Sequence, residues 1–119
     1  MDLLNKDQIL AAEDLPFKDV EVPEWGGTVR IRTMTGGERD AFEASIYETV
    51  GDKVQFNRQD FRAKLLSKVI VDESGVRLFS DKEIAQLSSK SAKAINRLFD
   101  VAQEINGISK AEQDALEKK

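Results

Sequence analysis

The spacing of apolar residues predicts that most of the chain is helical. Over about residues 91–105, apolar side chains recur three and four positions apart, which places them on one face of an amphipathic helix. A capping box of Thr35 and Glu38 opens a second predicted helix over about 36–50, with Val50 on its apolar face. By the same signals, two further helices are predicted over about 58–71 and 81–88.

A short helix is predicted near the N-terminus, with Asn5 as its N-cap. Pro16 ends this segment, because proline disfavours helical backbone at the residue before it. We expect the segment to dock on the body of the protein through four apolar side chains, those of Leu3, Leu4, Ile9 and Leu10.

Alternation of apolar and polar residues predicts one β-hairpin over about residues 18–34. The pair Gly26-Gly27 lies between the two alternating runs and suits a two-residue turn with positive φ. This turn would place Val22 opposite Ile31, with both side chains towards the core. The first strand is expected at a sheet edge, because Pro23 cannot donate a ladder hydrogen bond.

These elements predict an α+β fold that is mainly α, with a small N-terminal β-hairpin packed on a bundle of about four to five helices. At 119 residues the chain has the length of one domain, which we expect to span residues 1–108. Residues 109–119 are expected to form a charged tail with too few apolar contacts to hold a helix alone.

The composition excludes several kinds of chemistry. The sequence has no cysteine and no histidine, which removes disulfides, thiol nucleophiles, histidine bases and ordinary zinc sites, and leaves only carboxylate metal sites open. The glycines at Gly36-Gly37 match neither a Walker loop nor a dinucleotide fingerprint, so we interpret them as permitting a tight entry from strand to helix. We therefore expect no catalytic residue, no cofactor and no bound metal.

No targeting or membrane segment is expected. The first residues lack the basic-then-apolar pattern of a signal peptide, and no apolar run approaches the roughly 20 residues that a membrane span requires. A soluble, intracellular protein is the default expectation.

The best case for nucleic-acid binding rests on the basic third helix together with Arg30 and Arg32 on the hairpin. Acidic Glu21 and Glu24 lie beside these arginines, and the net charge of −4 weighs against a general nucleic-acid binder. Trp25, on the polar face of the hairpin, leaves two interpretations open: it folds over to cap the core, or it anchors another protein.

The order of several segments resembles the tail assembly chaperone family of long-tailed, siphovirus-type bacteriophages and prophages. The resemblance covers about residues 3–110 and rests on "VPEWGGTVRIR", "MTGGERDAFEAS", "VDESGVRLFS" and "KSAKAINRLFDVAQEINGIS", followed by a charged ending. It implies a non-enzymatic, self-associating protein of the bacterial host cytoplasm that is absent from the finished virion. Such a protein coats the helical tape measure protein, keeps it soluble and helps the major tail protein polymerise into the tube.

The resemblance also implies a longer form made by ribosomal frameshifting, for which the codons of the terminal "EKK" are a candidate slippery run. Alternatives to the chaperone are a structural tail or head–tail component, and a small nucleic-acid-binding regulator. Phe56 is a candidate contact because it stands in an otherwise polar connector, although packing against the core also explains it. The predicted protein-binding residues are Trp25, Arg30, Arg32, Phe56 and Phe79.

Overall fold

The computed structural model describes residues 2–107 and has an α+β fold, with five α-helices and two small antiparallel sheets in that range. Helix α5 is the longest element, and it begins after Ser91, whose hydroxyl accepts a hydrogen bond from the Ala94 amide. The elements are α1 (Lys6–Ala11), β1 (Phe17–Val22), β2 (Gly27–Arg32), α2 (Gly36–Ser45), β3 (Tyr47–Val50), β4 (Lys53–Phe56), α3 (Phe61–Val69), β5 (Ile70–Val71), α4 (Ile84–Ser88) and α5 (Ala92–Ile105).

The first hairpin forms with a different turn from the predicted one. A 3₁₀ turn over Pro23–Trp25 joins β1 to β2, and Gly26 closes it with φ +72°. Proline fits there because its fixed φ suits the first position of a helical turn, where no amide donor is needed. The partner of Val22 is therefore Gly27 and not Ile31, a shift of four residues. An even shift preserves the faces, so Val22 and Ile31 are both buried as expected.

The first sheet has the order β1-β2-β5, with every pair antiparallel. Strand β5 comes from the end of the helix predicted over 58–71, which instead begins at Phe61 and ends at Val69. The β-branched run Val69-Ile70-Val71 favours extended backbone, and Ile70 pairs with Ile31 in the buried centre of the sheet. In the described residues β1 pairs only with β2, so it is the edge strand that Pro23 predicted.

The helix predicted over 36–50 is wrong in its last five residues. Helix α2 ends at Ser45, and the following residues form a second hairpin, β3–β4, from a segment interpreted as helix end and polar connector. Thr49 and Val50 favour a strand, and Gly51, at φ +63°, begins the two-residue loop between the strands. Val50 is consequently 53% exposed, where the helix would have buried it.

One hydrophobic core joins the helices to the first sheet. Helix α5 contributes Leu98 and Phe99, α3 contributes Leu65 and Leu66, and all four side chains are at most 2% exposed. The segment predicted as a helix over 81–88 begins as a 3₁₀ turn before α4, which adds buried Leu87. The cluster consists of Val22, Ile31, Met34, Phe42, Ile46, Phe56, Phe61, Ala63, Leu65, Leu66, Val69, Ile70, Leu87, Ala94, Ile95, Leu98, Phe99 and Ala102.

The predicted docking of the N-terminal helix is wrong. Helix α1 forms after Asn5 as expected, but it buries none of its residues, and every residue from 2 to 19 is exposed. The core forms without α1, because the large side chains of the core are already buried by the other elements. The exposed fractions are 98% for Leu3, 64% for Leu4, 57% for Ile9 and 76% for Leu10. The charged tail predicted over 109–119 lies outside the described residues, and the domain limit at 108 stays a prediction.

Candidate interaction surfaces

The N-terminal segment is the largest run of exposed apolar side chains in the part of the chain that the structure describes. It extends from residue 2 into β1, where Leu15 is 40% and Phe17 is 56% exposed. Large exposed apolar clusters mark sites where another molecule binds. The apolar pattern of this segment did not predict its exposure, because an amphipathic pattern is the same whether its partner is the same chain or another one.

Helix α1 is well capped although none of its residues is buried. The Asn5 side chain accepts a hydrogen bond from the Gln8 amide at 2.8 Å, and the Gln8 side chain accepts one from the Asn5 amide at 2.9 Å. Leu4 and Ile9 occupy the N′ and N4 positions, whose side chains form a hydrophobic staple in many helices. The segment therefore carries local signals for a helix, while its apolar side chains lie in solvent.

Arg30 and Arg32 are both engaged in ion pairs within the chain. Arg30 donates two hydrogen bonds to Asp19, at 2.8 and 3.1 Å, and its guanidinium lies 3.8 Å from the centre of the Phe17 ring. Arg32 donates to both carboxylate oxygens of Glu38 at 2.9 Å. Bidentate pairs of this kind fix the guanidinium plane. Arg30 therefore links β2 to β1, and Arg32 links β2 to the start of α2.

The electrostatics of both carboxylates agree with this arrangement. The hydrogen bond from Arg30 lowers the pKa of Asp19. Partial burial of Glu38 opposes its ionisation, but hydrogen bonds from Arg32 and Thr35 outweigh that effect and lower the pKa of Glu38. Both carboxylates are thereby held in the charged form that pairs with arginine.

Trp25 lies in the 3₁₀ turn of the first hairpin, partly buried against the core. Its neighbour Glu24 accepts two hydrogen bonds from Arg97 of α5, at 2.5 and 2.9 Å. The hydrogen bond from Arg97 lowers the pKa of Glu24 to about 2. This pair ties the hairpin turn to α5, and the position of Trp25 agrees with the interpretation in which it caps the core.

Phe56 is buried in the core, and Phe79 is partly buried against it. Phe56 is 8% exposed and its ring centre is 5.5 Å from that of Phe61 and 6.0 Å from that of Tyr47. Phe79 is partly buried and packs against the core. Of the five predicted residues, only Arg30 and Arg32 come together, in a depression of about 470 Å³ that Phe17 also lines. Trp25 is at the opposite end of the hairpin.

The basic residues of the third helix do not form a continuous basic stripe. The Lys68 side chain is only 7% exposed and its ammonium donates to Asp81 at 2.8 Å. Lys64 donates to the backbone carbonyl of Ser45 at 3.0 Å, and the Arg62 guanidinium lies 5.2 Å from the centre of the Phe99 ring. Nucleic-acid binding requires cations that can reach successive phosphates. These contacts remove much of the basis for that alternative.

A groove between the start of α3 and the start of α5 was not predicted from the sequence. It encloses about 390 Å³. Phe61, Ala63 and Ile95 lie at its base, but each is at most 6% exposed. Its basic residues Arg58, Arg62 and Lys90 are exposed, and it also contains Asp60, which accepts a hydrogen bond from Ser88 at 2.8 Å. The groove combines residues about thirty positions apart, so no local spacing could have indicated it.

The described residues contain no cluster of acidic side chains that could hold a metal ion. Within the same range, no helix is long and apolar enough to span a membrane.

Comparisons with known proteins identify the family. A family model described as phage tail assembly chaperone matches residues 6–119, nearly the whole chain. The solved structure of the bacteriophage HK97 tail assembly chaperone matches with a TM-score of 0.60 at 24% identity, over 83% of this chain and 94% of that one, which shows a shared fold. A comparison with curated proteins found no match. The chain belongs to the phage tail assembly chaperones, a family of non-enzymatic assembly factors.

Proposed function

We propose that this protein binds the long, helical tape measure protein of its phage, keeps it soluble and promotes assembly of the tail tube around it. The observation that carries the proposal is the exposed apolar segment 2–19 on a protein of the tail assembly chaperone family. An apolar surface that the chain leaves uncovered suits a partner whose own apolar face must be shielded until assembly.

The proposal includes several partners and places. The protein acts as a homo-oligomer in the cytoplasm of the bacterial host, contacts the major tail protein during tube formation, and leaves before the virion is complete. The five predicted contact residues remain candidates; Trp25, Arg30 and Arg32 retain some exposure at their side chains. The internal ion pairs of both arginines weigh against their contact with nucleic-acid phosphates.

Co-expression with the long helical protein encoded downstream tests this function. Size-exclusion chromatography with light scattering should give a soluble complex with several copies of this chain per client. An insoluble client, with this chain eluting alone, would contradict the proposal. A structural tail component is distinguished by the purified virion, which would then retain this chain.

The Trp25 interpretation is tested in the same assay with Trp25→Ala. If Trp25 is a contact, the variant should recover less client while its melting temperature stays close to that of the unmodified protein. Phe99→Leu is the matched control, because that ring is buried in the core and can affect binding only through folding. Equal client recovery with Trp25→Ala and with the unmodified protein would show that Trp25 packs on the core and does not contact the client.

A further inference from the structure

The N-terminal segment combines exposed apolar side chains with an excess of carboxylates. Residues 2–15 have four carboxylates against one lysine, which is a net charge of −3, and all of these residues are exposed. Several apolar side chains of the same range, including Ile9 and Leu10, are more than half exposed. A partner that covers them must therefore lie beside negative charges. The charged residues are Asp2, Lys6, Asp7, Glu13 and Asp14.

The depression of about 470 Å³ at the end of this segment has the same character. Leu15 and Phe17 give it exposed apolar surface, and the exposed residues Glu13 and Glu73 also line it. Each of the two arginines in its lining is paired with a carboxylate of this chain, so the charge that remains for a partner is that of the two glutamates. The acidic character thus continues from the segment onto the sheet.

These charges restrict the class of partner. Lysine and arginine suit such a surface, because their aliphatic stems pack on apolar side chains while their charged ends reach carboxylates. An anionic lipid surface fits poorly, since the amphipathic helices that bind one carry basic residues on their polar face. A protein segment that is both apolar and basic fits best.

We infer that the N-terminal segment and the depression at its end select a client segment whose apolar stripe is flanked by lysine or arginine. The stripe covers the exposed apolar side chains of α1, and a basic side chain of the client enters the depression beside Glu13 and Glu73. This inference rests on the proposed function, and it names the chemistry of the client at the same surface.

Two synthetic helical peptides of about 18 residues provide the probe. They share one leucine stripe and differ only in the residues that flank it, which are lysines in one peptide and glutamates in the other. Calorimetric titration against the full chain should give a Kd at least roughly tenfold lower for the lysine peptide. That Kd should rise between about 50 mM and about 300 mM salt, because screening weakens contacts with exposed carboxylates.

Two variants separate the charged from the apolar contribution. The charge variant is Glu13→Gln with Asp14→Asn and Glu73→Gln, and the apolar variant is Ile9→Ser with Leu10→Ser, all at exposed positions. The charge variant should bind the lysine peptide at least roughly tenfold more weakly and bind both peptides with similar Kd values. The apolar variant keeps the charge of the chain and should weaken the binding of both peptides.

The matched control is Glu48→Gln with Asp52→Asn and Glu104→Gln. It changes the net charge by the same amount as the charge variant does, at exposed positions outside the segment and the depression. It should bind the lysine peptide with a Kd close to that of the unmodified protein. Circular dichroism should show the same helix content and closely similar melting for all of the variants.

Several results would overturn the inference while leaving the proposed function standing. They are equal Kd values for the two peptides, no binding of either peptide at about 300 µM, or a control as weak as the charge variant. Tighter binding to vesicles of phosphatidylglycerol than to the lysine peptide would assign the surface to lipid. An insoluble client in the co-expression assay refutes the proposed function instead, and the peptide affinities then decide the chemistry of the surface on their own.

Discussion

At the scale of single residues, Lys68 is the one charged residue among the described residues that is buried. It lies on α3 among buried neighbours, and its ammonium donates a hydrogen bond to Asp81 at 2.8 Å. Arg77 donates to the same carboxylate oxygen at 3.0 Å, and the hydrogen bonds from Lys68 and then Arg77 lower the pKa of Asp81. A buried ammonium without a counter-charge is costly, so Asp81 makes the position of Lys68 tolerable.

Replacing Asp81 by asparagine should lower the free energy of unfolding by about 1–3 kcal/mol, because Lys68 then loses its counter-charge. Lys68→Met in the same chain should recover most of that loss, since it removes the charge that needs a partner. Urea unfolding measures both variants, with Asp100→Asn on the exposed face of α5 as the control. An Asp81→Asn variant as stable as the unmodified protein would show that Lys68 does not depend on this carboxylate.

At the scale of elements, the sequence correctly predicted several features that depend on local spacing, namely the bounds of the longest helix and helix caps. The bounds of α5 follow from its apolar stripe and from Ser91, and the capping box at Thr35 forms as expected. Strands β3 and β5 were missed because Val50 and Ile70 fit a helix face as well as a strand, and β4 was missed because its segment was interpreted as a polar connector. Only pairing with a second strand, which local spacing does not encode, decides between the two.

The candidate surfaces were less predictable than the elements. The two arginines were correctly singled out as charged positions of the hairpin, but their partners depend on a register set by the 3₁₀ turn and on α2. The groove arises from the packing of α3 on α5. The exposure of the N-terminal segment depends on whether another part of the protein packs against it. Neither is a property of adjacent residues.

Two glycines that look alike in the sequence should respond in opposite ways to alanine. Gly37 lies in the first turn of α2, and a Cβ there would meet nothing within 4 Å, so the tight-entry interpretation fails at this position. Gly37→Ala should raise the free energy of unfolding by about 0.5–1 kcal/mol through helix propensity and reduced chain entropy. Gly51→Ala should lower it by about 1 kcal/mol, because Gly51 has φ +63°.

Thermal unfolding of the two variants side by side checks both signs. Gly51→Asn serves as the control, since asparagine tolerates the left-handed region better than alanine and should be less destabilising. Shifts of the same sign for Gly37→Ala and Gly51→Ala would contradict the backbone assignment.

At the scale of the whole molecule, one aromatic ring joins elements that are distant in sequence. The ring of Phe61 on α3 lies 5.7 Å from Phe42 of α2, 5.5 Å from Phe56 of β4 and 5.6 Å from Phe99 of α5, measured between centres. The second hairpin thus belongs to the same core as the helices, through Phe56.

Phe61→Ala should lower the free energy of unfolding by about 3–5 kcal/mol, because it removes three ring contacts and leaves a cavity. Phe61→Leu should cost less, since it keeps most of the apolar volume. Tyr47→Ala is the matched control: that ring is 39% exposed and touches only the edge of the cluster through Phe56. Equal losses at Phe61 and Tyr47 would contradict a core centred on Phe61.

The charge balance of the whole molecule determines its response to acid. Hydrogen bonds lower the pKa of several carboxylates in the folded chain, and the hydrogen bond from Arg97 lowers that of Glu24 from 4.5 to about 2. A carboxyl whose folded pKa is below its unfolded value binds fewer protons when folded, so it stabilises the fold above the unfolded pKa. That contribution is lost as the pH falls through the folded pKa. The affected groups are Asp19, Glu24, Glu38, Asp81 and Glu83.

Denaturant unfolding at a series of pH values should therefore show a plateau above about pH 5 and a progressive loss of stability down to about pH 2. Glu24→Gln should lower the plateau and flatten the decline, because glutamine cannot titrate and bonds Arg97 without a charge. Glu104→Gln, at an exposed carboxylate of α5 outside these pairs, should keep the slope of the unmodified protein. A Glu24→Gln curve parallel to that of the unmodified protein would mean that the pair with Arg97 does not hold the hairpin turn on α5 in solution.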